Sequence, residues 1–233
     1  MRYLQLTILL FTVCVIAKSS NRVYILHGYA GPGFEMIPIL KALEKEGFDC
    51  TLFRYHSFVD DADSVGLDLI KRIQSDGADT ISFVTHSMGA FVVRSIYWHI
   101  DSLANFPIIN RIVMIAPPNK GTTVADFYNK IHFLRFFLGP NLQNMTTDSI
   151  KGASRYPIPT CEVGLITGSF GSSKTLNLLI DADNDCMVDP KLARLGIEKD
   201  YVHVKSWHLG LLYDKRVIKY VISFLKWGKF TVK

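Results

Sequence analysis

The stretch Thr85-His86-Ser87-Met88-Gly89 has the residue types and the setting of a nucleophile turn. It follows an apolar run typical of a buried strand and leads into an apolar segment typical of a helix. A serine on such a tight turn projects its hydroxyl from the edge of a sheet, and the next amide points to the position of an oxyanion. Gly89 relieves the crowding of this turn, whereas Thr85 stands where glycine is usual. We therefore predict that Ser87 is the nucleophile.

An alternative role for Ser87 is that of a helix N-cap, since a serine side chain accepts hydrogen bonds from the first helical amides. His86 would then only fill space. This alternative leaves the other chemical features of the chain unexplained.

A glycine-rich turn follows the first apolar run, with His27-Gly28-Tyr29 leading into the residues 30–33. A loop at this position supplies the second backbone donor to an oxyanion when a serine nucleophile lies on a neighbouring strand. Gly28 allows close approach of the backbone, and the amides of Tyr29 and Met88 are the predicted donors. The alternative is an ordinary Gly/Pro turn between a strand and a helix.

An acidic run lies between the predicted nucleophile and the C-terminus, with Asp181, Asp183, Asp185 and Asp189 within nine positions. A serine nucleophile needs a base, and the base needs a carboxylate that holds its tautomer. We predict Asp185 as this acid, with Asp183 as the alternative. The run also resembles a calcium loop, but it lacks the glycine and the final glutamate of an EF-hand, so we predict no metal site.

The predicted base is a histidine that follows the acid, in the order serine, acid, histidine. Of the seven histidines, only His203 and His208 come after the acidic run. His203 lies inside a predicted strand, where a surface or hydrogen-bonded role is expected. His208 lies in the loop after that strand, and such loops carry the chemistry of parallel sheets. We predict His208 as the base, with Trp207 and Leu209 beside the pocket.

Short β-branched runs alternate with helical patterns along the chain, which predicts an α/β fold with a mostly parallel central sheet and helices on both faces. The predicted strands are 22–27, 50–54, 80–85, 111–116, 161–167 and 201–205, and the predicted helices are 34–46, 63–75, 88–100, 124–137 and 215–226. Residues 117–160 are either a small lid over an apolar cleft or a crossover helix with a loop.

The N-terminal residues 1–19 have the pattern of a secretory signal peptide, with Arg2 before an apolar stretch that ends at Ala17. A membrane anchor would need a longer apolar run than Lys18 allows. A buried N-terminal strand is a third interpretation of these residues. Residues 20–233 are predicted to form a single domain, secreted or periplasmic.

The net charge of +5 is spread along the chain without a dense basic block, which disfavours nucleic-acid binding. Transient contact with a membrane or lipid surface is compatible with this charge. Export would leave Cys50, Cys161 and Cys186, an odd number. Cys161 and Cys186 are the closest pair in sequence, but spacing alone does not establish a disulfide.

The chain resembles α/β-hydrolase lipases and esterases, most of all small bacterial lipase-like proteins. The resemblance rests on residues 23–33, 84–94, 116–121 and 183–188 and on His208. It implies a compact α/β-hydrolase fold with a small lid or none, and a Ser-His-Asp triad.

The leading functional hypothesis is hydrolysis of a carboxylic ester, on a lipid or other acyl ester, through Ser87, His208 and Asp185 and without a metal or organic cofactor. An acyltransferase or thioesterase would use the same residues. An alternative that is not an enzyme is a hydrolase-fold protein that binds an apolar ligand or partner without catalysis.

Overall fold

The structure is a computed structural model that describes residues 22–170, 179–180 and 183–231. The predicted signal peptide, residues 1–19, lies outside the described residues, and so does Asp181 of the acidic run. The other candidate site residues are all described.

The described strands form one sheet of six parallel strands in the order β2-β1-β3-β4-β5-β6. They are β1 (Arg22–Leu26), β2 (Asp49–Phe53), β3 (Thr80–His86), β4 (Ile108–Ile115), β5 (Glu162–Ser169) and β6 (Asp200–Lys205). Since all the strands run the same way, their carboxyl ends meet at one edge, which we call the carboxyl edge. The predicted fold class is confirmed.

The described α-helices are α1 (Ile37–Lys45), α2 (Ala62–Asp76), α3 (Gly89–Ile96), α4 (Thr123–Asn129), α5 (His132–Leu138), α6 (Asn141–Asn144), α7 (Pro190–Ala193) and α8 (Lys215–Trp227). Local signals in the sequence set the ends of the long ones. Helix α2 begins after Asp61, whose carboxylate accepts from the Asp63 amide, and it stops at Gly77 with a φ of 63°. Helix α8 is bounded in the same way by Asp214 and Gly228.

The sheet carries a hydrophobic core on each face, because successive side chains of a strand point to opposite sides. In β1, Tyr24 and Leu26 belong to the core that also contains residues of α2 and α3. Val23 and Ile25 belong to the other core, with residues of α1 and α8. This two-sided burial explains why the central strands are apolar without alternation.

Helix α3 is buried throughout, including its one charged residue, Arg94. The Arg94 guanidinium donates from Nε to the Pro157 carbonyl at 2.9 Å and from Nη1 to the Asn119 carbonyl at 3.0 Å. Burial lowers the pKa of Arg94 to about 10. These bonds tie the central helix to the loop that follows β4 and to the segment that precedes β5.

The helix predicted over 124–137 is wrong as a single element, since α4 ends at Asn129 and α5 begins at His132. Ile131 between them has an extended backbone, with φ −94° and ψ 98°. The predicted helix has no continuous buried face, because Phe127 and Ile131 are exposed. Residues 117–160 therefore form several short helices instead of one crossover helix, and a small lid in this segment stays a prediction.

Cys161 carries a free thiol that accepts a hydrogen bond from the Tyr97 hydroxyl at 3.3 Å, so a bond from Cys161 to Cys186 is not formed. Burial raises the pKa of the Cys161 thiol. Cys50 of β2 is also a free thiol.

Across the described ranges, none of the helices has the length and apolar character needed to cross a membrane.

Candidate active site

Ser87 lies on a sharp turn between β3 and α3, at the carboxyl edge of the sheet. Its φ is 52°, in the left-handed region that a residue with a side chain seldom adopts. The Ser87 amide donates to the carbonyl of Ile115, the last residue of β4, at 2.9 Å, which continues the pairing with β4 one residue past the end of β3. The strained conformation is therefore held by the sheet itself.

Two glycines allow the surrounding backbone to close around Ser87. A Cβ on Gly28 would lie 2.9 Å from the Cβ of Ser87, so the loop after β1 approaches the serine directly. A Cβ on Gly89 would lie 2.7 Å from the carbonyl oxygen of His27, so α3 starts in contact with the end of β1. Any larger side chain at either position would force these elements apart.

The loop after β1 is held by the segment that follows β2. The Nδ1 of His27 lies 2.8 Å from the carbonyl oxygen of Gly28, and its Nε2 accepts from the Tyr55 amide at 3.3 Å. The Tyr55 hydroxyl donates to the His27 carbonyl, and the two rings stack with centroids 4.0 Å apart. Further along the loop, the amide of Ala30 donates to Ser57 Oγ at 2.8 Å. Burial lowers the pKa of His27.

Tyr29 follows Gly28, which approaches Ser87 closely, and Met88 follows Ser87 directly in the chain. Within the described residues, neither amide donates a hydrogen bond to another group of the protein. Met88 is the N-cap of α3, where helical amides have no acceptor within the helix. The two amides are thus compatible with the predicted role as oxyanion donors.

His208 is bound to Asp185 through both its side chain and its backbone. Nδ1 of His208 lies 2.7 Å from Oδ2 of Asp185, and the His208 amide donates to the Asp185 carbonyl at 2.9 Å. The other carboxylate oxygen, Oδ1, accepts from the amides of Met187 at 3.0 Å and Val188 at 2.8 Å. Asp185 is 1% exposed. A buried carboxylate with these donors keeps its orientation.

Of the two carboxylates considered from the sequence, Asp185 is the one that contacts His208. Its position is set by β5, since a Cβ on Gly168 would lie 3.2 Å from the Asp185 Cβ. His203 lies on β6, as predicted, where its ring nitrogens contact Thr167 Oγ1 at 2.9 Å and Ser169 Oγ at 2.6 Å. His203 therefore belongs to a hydrogen-bonded surface of the last two strands.

His86 connects the serine turn to the histidine loop. Its Nε2 lies 3.3 Å from the carbonyl oxygen of His208, and the two imidazole centroids are 4.6 Å apart. Burial, and then the neighbouring His208, lower the pKa of His86 well below its ordinary value. His86 is thus neutral, and it adds no second cation beside His208.

The serine turn and the His208 loop therefore meet at the carboxyl edge through His86. Ser87 Oγ makes no hydrogen bond within the described residues, and contacts of this kind often tighten only when a substrate is bound. Trp207 and Leu209 flank His208 in the chain, and both are about half exposed, at 51% and 42%. Their side chains are available at the rim of the site.

Thr85 occupies the motif position that usually holds glycine. The residue is completely buried, and its Oγ1 has no hydrogen-bond partner among the described groups. The departure from the usual motif is therefore accommodated sterically by the sheet but leaves a buried hydroxyl unsatisfied.

The sequence reasoning did not identify Tyr55 and Ser57, which support the loop after β1. Both lie in the segment that follows β2, at the carboxyl end of a parallel strand. Their position after a predicted strand could have identified them, since polar side chains there lie beside the carboxyl ends of neighbouring strands.

No group of three or more His, Cys, Asp or Glu side chains converges as a metal site within the described ranges. The acidic run contributes Asp185 to the contact with His208, and Asp189 caps α7 by accepting from the Lys191 amide.

Solved structures with a similar fold include several bacterial enzymes. The mature lipase BlEst2 of Bacillus licheniformis has a TM-score of 0.66 and 17% identity, over 89% of this chain and 90% of that one. The metagenomic carboxyl esterase MGS0156 has a TM-score of 0.61 and 16% identity, over 84% of this chain and 66% of that one. The type II thioesterase BorB of the borrelidin cluster has a TM-score of 0.57 and 16% identity, over 89% and 92%.

A comparison with models of protein families finds no match, and neither does a search of curated proteins. The sheet order, the turn at Ser87 and these structural likenesses define an α/β-hydrolase fold. The resemblance inferred from the sequence is confirmed at this level.

Proposed function

We propose that the protein hydrolyses carboxylic esters through a covalent acyl-enzyme on Ser87. The observation that carries the proposal is the contact between Asp185 and His208 at 2.7 Å, in a loop that is joined to the serine turn through His86. A serine, a histidine and a buried carboxylate assembled in this way have the parts needed for nucleophilic acyl transfer.

The acylation step begins on a neutral His208. Because the carboxylate of Asp185 accepts the proton of Nδ1, the basic nitrogen of the ring is Nε2. In the proposed step, Ser87 Oγ attacks the acyl carbon and Nε2 takes the hydroxyl proton. The carbonyl electrons move to the oxygen, which receives hydrogen bonds from the amides of Tyr29 and Met88. The carbonyl then re-forms as the bond from the acyl carbon to the alkoxy oxygen breaks, and Nε2 gives its proton to the leaving alcohol.

The deacylation step reverses these roles with water. Nε2 of His208 takes a proton from water, the oxygen attacks the acyl carbon, and Ser87 Oγ leaves with that proton. The products are a carboxylic acid and the restored serine. Backbone donors to the oxyanion contribute a factor of about a hundred or more each in enzymes of this type.

The buried carboxylate and the neutral neighbours favour this cycle. As His208 becomes positively charged, Asp185 stabilises the imidazolium at short range. Because burial lowers the pKa values of His27 and His86, these rings stay neutral and do not repel that charge. His208, the histidine that contacts Asp185, is therefore the proposed base.

Lipid or other apolar acyl esters are the proposed substrates. Support comes from the exposed apolar side chains near the carboxyl edge, among them Trp207, Leu209 and Met187. The fold is also shared with proteins described as a lipase and a carboxyl esterase. A thioester substrate is tested alongside, since the thioesterase BorB shares the fold too.

The proposal is tested by labelling the folded protein with a fluorophosphonate probe. We expect covalent labelling of the wild type and of Ser75→Ala, a matched control on the exposed face of α2, and no labelling of Ser87→Ala. A wild type that resists the probe would contradict the proposed activity. Label retained in Ser87→Ala would contradict the proposed nucleophile.

A substrate series then defines the reaction. Turnover is measured on p-nitrophenyl esters from short to long acyl chains and on a matching acyl thioester, with and without an added alcohol. We expect a free acid as the main product and faster turnover with longer chains. An acylated alcohol as the main product would instead identify an acyltransferase.

Export through residues 1–19 remains part of this proposal, and its support is the sequence pattern alone. Expression of the full chain with N-terminal analysis of the exported protein tests it. We expect the exported protein to begin just after Ala17.

A further inference from the structure

Helix α5 presents three phenylalanines to solvent. Phe133, Phe136 and Phe137 are 70%, 82% and 60% exposed. Their rings contact one another, with centroids 4.7 Å apart for Phe133 and Phe137 and 5.3 Å apart for Phe136 and Phe137. Single exposed apolar residues are common on protein surfaces, but a contiguous aromatic group marks an interaction site.

This helix is attached to the loop that carries the predicted oxyanion donor. The Tyr29 hydroxyl donates to the carbonyl of Leu138, the last residue of α5. Gly139 follows with a φ of 72°, and a Cβ there would lie 1.9 Å from the carbonyl oxygen of Phe58. Phe58 and Val59 are themselves 44% and 75% exposed, and the Phe58 ring packs on the ring of Tyr29 with centroids 4.9 Å apart. We call the five exposed residues Phe58, Val59, Phe133, Phe136 and Phe137 the α5 surface.

The charge along α5 itself is positive, whereas Asp60 and Asp61 follow Val59 at the other end of the α5 surface. No Asp or Glu occurs between Asp126 and Asp148, whereas Lys130 and Arg135 lie within this stretch and are exposed. Neither cation forms an ion pair with another described residue. A groove of about 730 Å³ beside Phe136 is lined by His132, Arg135 and Arg155, together with Asp61 and several polar and small residues.

We propose that the α5 surface docks onto an anionic lipid bilayer. The phenylalanines would enter the boundary between headgroups and acyl chains, and Lys130 and Arg135 would face the acidic headgroups. The link from Leu138 to Tyr29 holds the docking surface beside the candidate site. The biological purpose, delivery of a lipid ester to Ser87, rests on the proposed function, whereas docking itself requires no turnover.

A second copy of the chain is a less suitable occupant of the same surface. A two-fold contact would place identical patches against each other, so Arg135 and Lys130 of both copies would be brought close together. Like charges at such a contact oppose association. An acidic bilayer satisfies both the apolar and the charged parts of the surface.

Co-sedimentation of the folded protein with vesicles tests the proposal. The vesicles contain phosphatidylcholine alone or phosphatidylcholine mixed with phosphatidylglycerol. We expect binding to the mixed vesicles that weakens with added salt. The triple variant Phe133→Ser, Phe136→Ser, Phe137→Ser should lose at least about tenfold in partitioning. Arg135→Glu should lose about tenfold, since it replaces an attraction by a repulsion.

Matched controls lie away from the surface. Ile108 and Trp227 are 71% and 69% exposed at the opposite edge of the sheet, where the Cβ position of Gly228 meets Glu162 at the start of β5. The double variant Ile108→Ser, Trp227→Ser and the charge control Lys41→Glu should bind vesicles like the wild type. Thermal unfolding of each variant establishes that it is folded before binding is compared.

The outcomes separate docking from catalysis. Ser87→Ala should bind vesicles like the wild type, because docking requires no turnover. A wild type that binds vesicles but hydrolyses no ester would contradict the proposed function and leave the docking proposal in place. Equal binding to both vesicle types, or unchanged binding of the folded triple variant, would overturn the docking proposal. A third result would also overturn the docking proposal. If the wild type does not bind vesicles but self-associates, and the triple variant does not self-associate, then a second copy of the chain occupies the surface.

Discussion

The Nε2 atom of His86 lies 3.3 Å from the backbone carbonyl oxygen of His208. A carbonyl oxygen only accepts hydrogen bonds, so this contact requires the proton of the His86 ring on Nε2. The other nitrogen, Nδ1, is buried and has no hydrogen-bond partner within the described residues. The residue before the candidate nucleophile thus supports the loop that carries the candidate base.

This relationship predicts that His86 positions His208. His86→Phe should lower kcat on a short soluble ester by about tenfold, because one hydrogen bond to the His208 loop is lost. KM should change little, since no role in substrate contact is assigned to His86. His86→Gln should restore most of kcat, because its amide can donate from about the same place. An equal loss in both variants would show that the ring has another role.

Asp185 is expected to be the acid that orients His208. Asp185→Asn should lower kcat by about a thousandfold or more, because an amide does not stabilise the imidazolium and favours the wrong tautomer. The comparison variant Asp183→Asn removes a charge from the same loop and should stay within about threefold of the wild type. Steady-state kinetics on a p-nitrophenyl ester measure both. A large loss in Asp183→Asn alone would reverse the assignment.

Gly28 is expected to be sensitive to the smallest possible enlargement. Gly28→Ala places a methyl group 2.9 Å from the Ser87 Cβ, which must displace the loop or the serine. We expect a loss of about a hundredfold in kcat/KM, since a displacement of about 1 Å near the reacting atoms is enough for that. Gly47→Ala is the control for activity, because its Cβ would meet nothing within 4 Å. Similar activities in the two variants would contradict the close approach.

Thr85 is expected to destabilise the fold slightly. Thr85→Val replaces a buried hydroxyl without a partner by a methyl group of similar size, and should raise the free energy of unfolding by about 1 kcal/mol. Urea unfolding followed by circular dichroism measures this change. A lower stability in Thr85→Val would mean that the hydroxyl has a partner, such as a buried water molecule.

The stability of the protein is expected to fall in mild acid. Folding lowers the pKa values of His27 and His86, so the unfolded chain binds more protons than the folded one once the pH falls below the ordinary histidine value of 6.5. The stability that these neutral rings contribute is therefore complete above pH 6.5 and is lost as the pH decreases. Each ring adds a slope of up to about 1.4 kcal/mol per pH unit.

Urea unfolding at several pH values between about 7.5 and 5 checks this dependence. His86→Gln removes one of the two titrating rings and should flatten the curve relative to the wild type. His56→Gln changes an exposed histidine and should leave the slope as it is. A slope that is the same in all three proteins would show that other groups are responsible.

The predicted strands and the longest helices agree with the structure because their signals are local. Aspartates and glycines mark the ends of α2 and α8, and apolar runs mark the strands of a sheet that is covered on both faces. The helices of segment 117–160 do not follow from the sequence in this way, because short helices lack a regular repeat of buried apolar residues. Residues such as Leu142 and Tyr156 reach the core there, while Phe133 and Phe136 stay in solvent.

The sequence by itself determined the class of fold, the serine turn and the order of serine, acid and histidine along the chain. These follow from local patterns and from the topology that such patterns allow. Only the tertiary structure decided that Asp185 contacts His208, that His86 joins the two loops and that Tyr55 supports His27. These contacts join residues from different strands, and their distances depend on how the sheet brings the loops together at one edge.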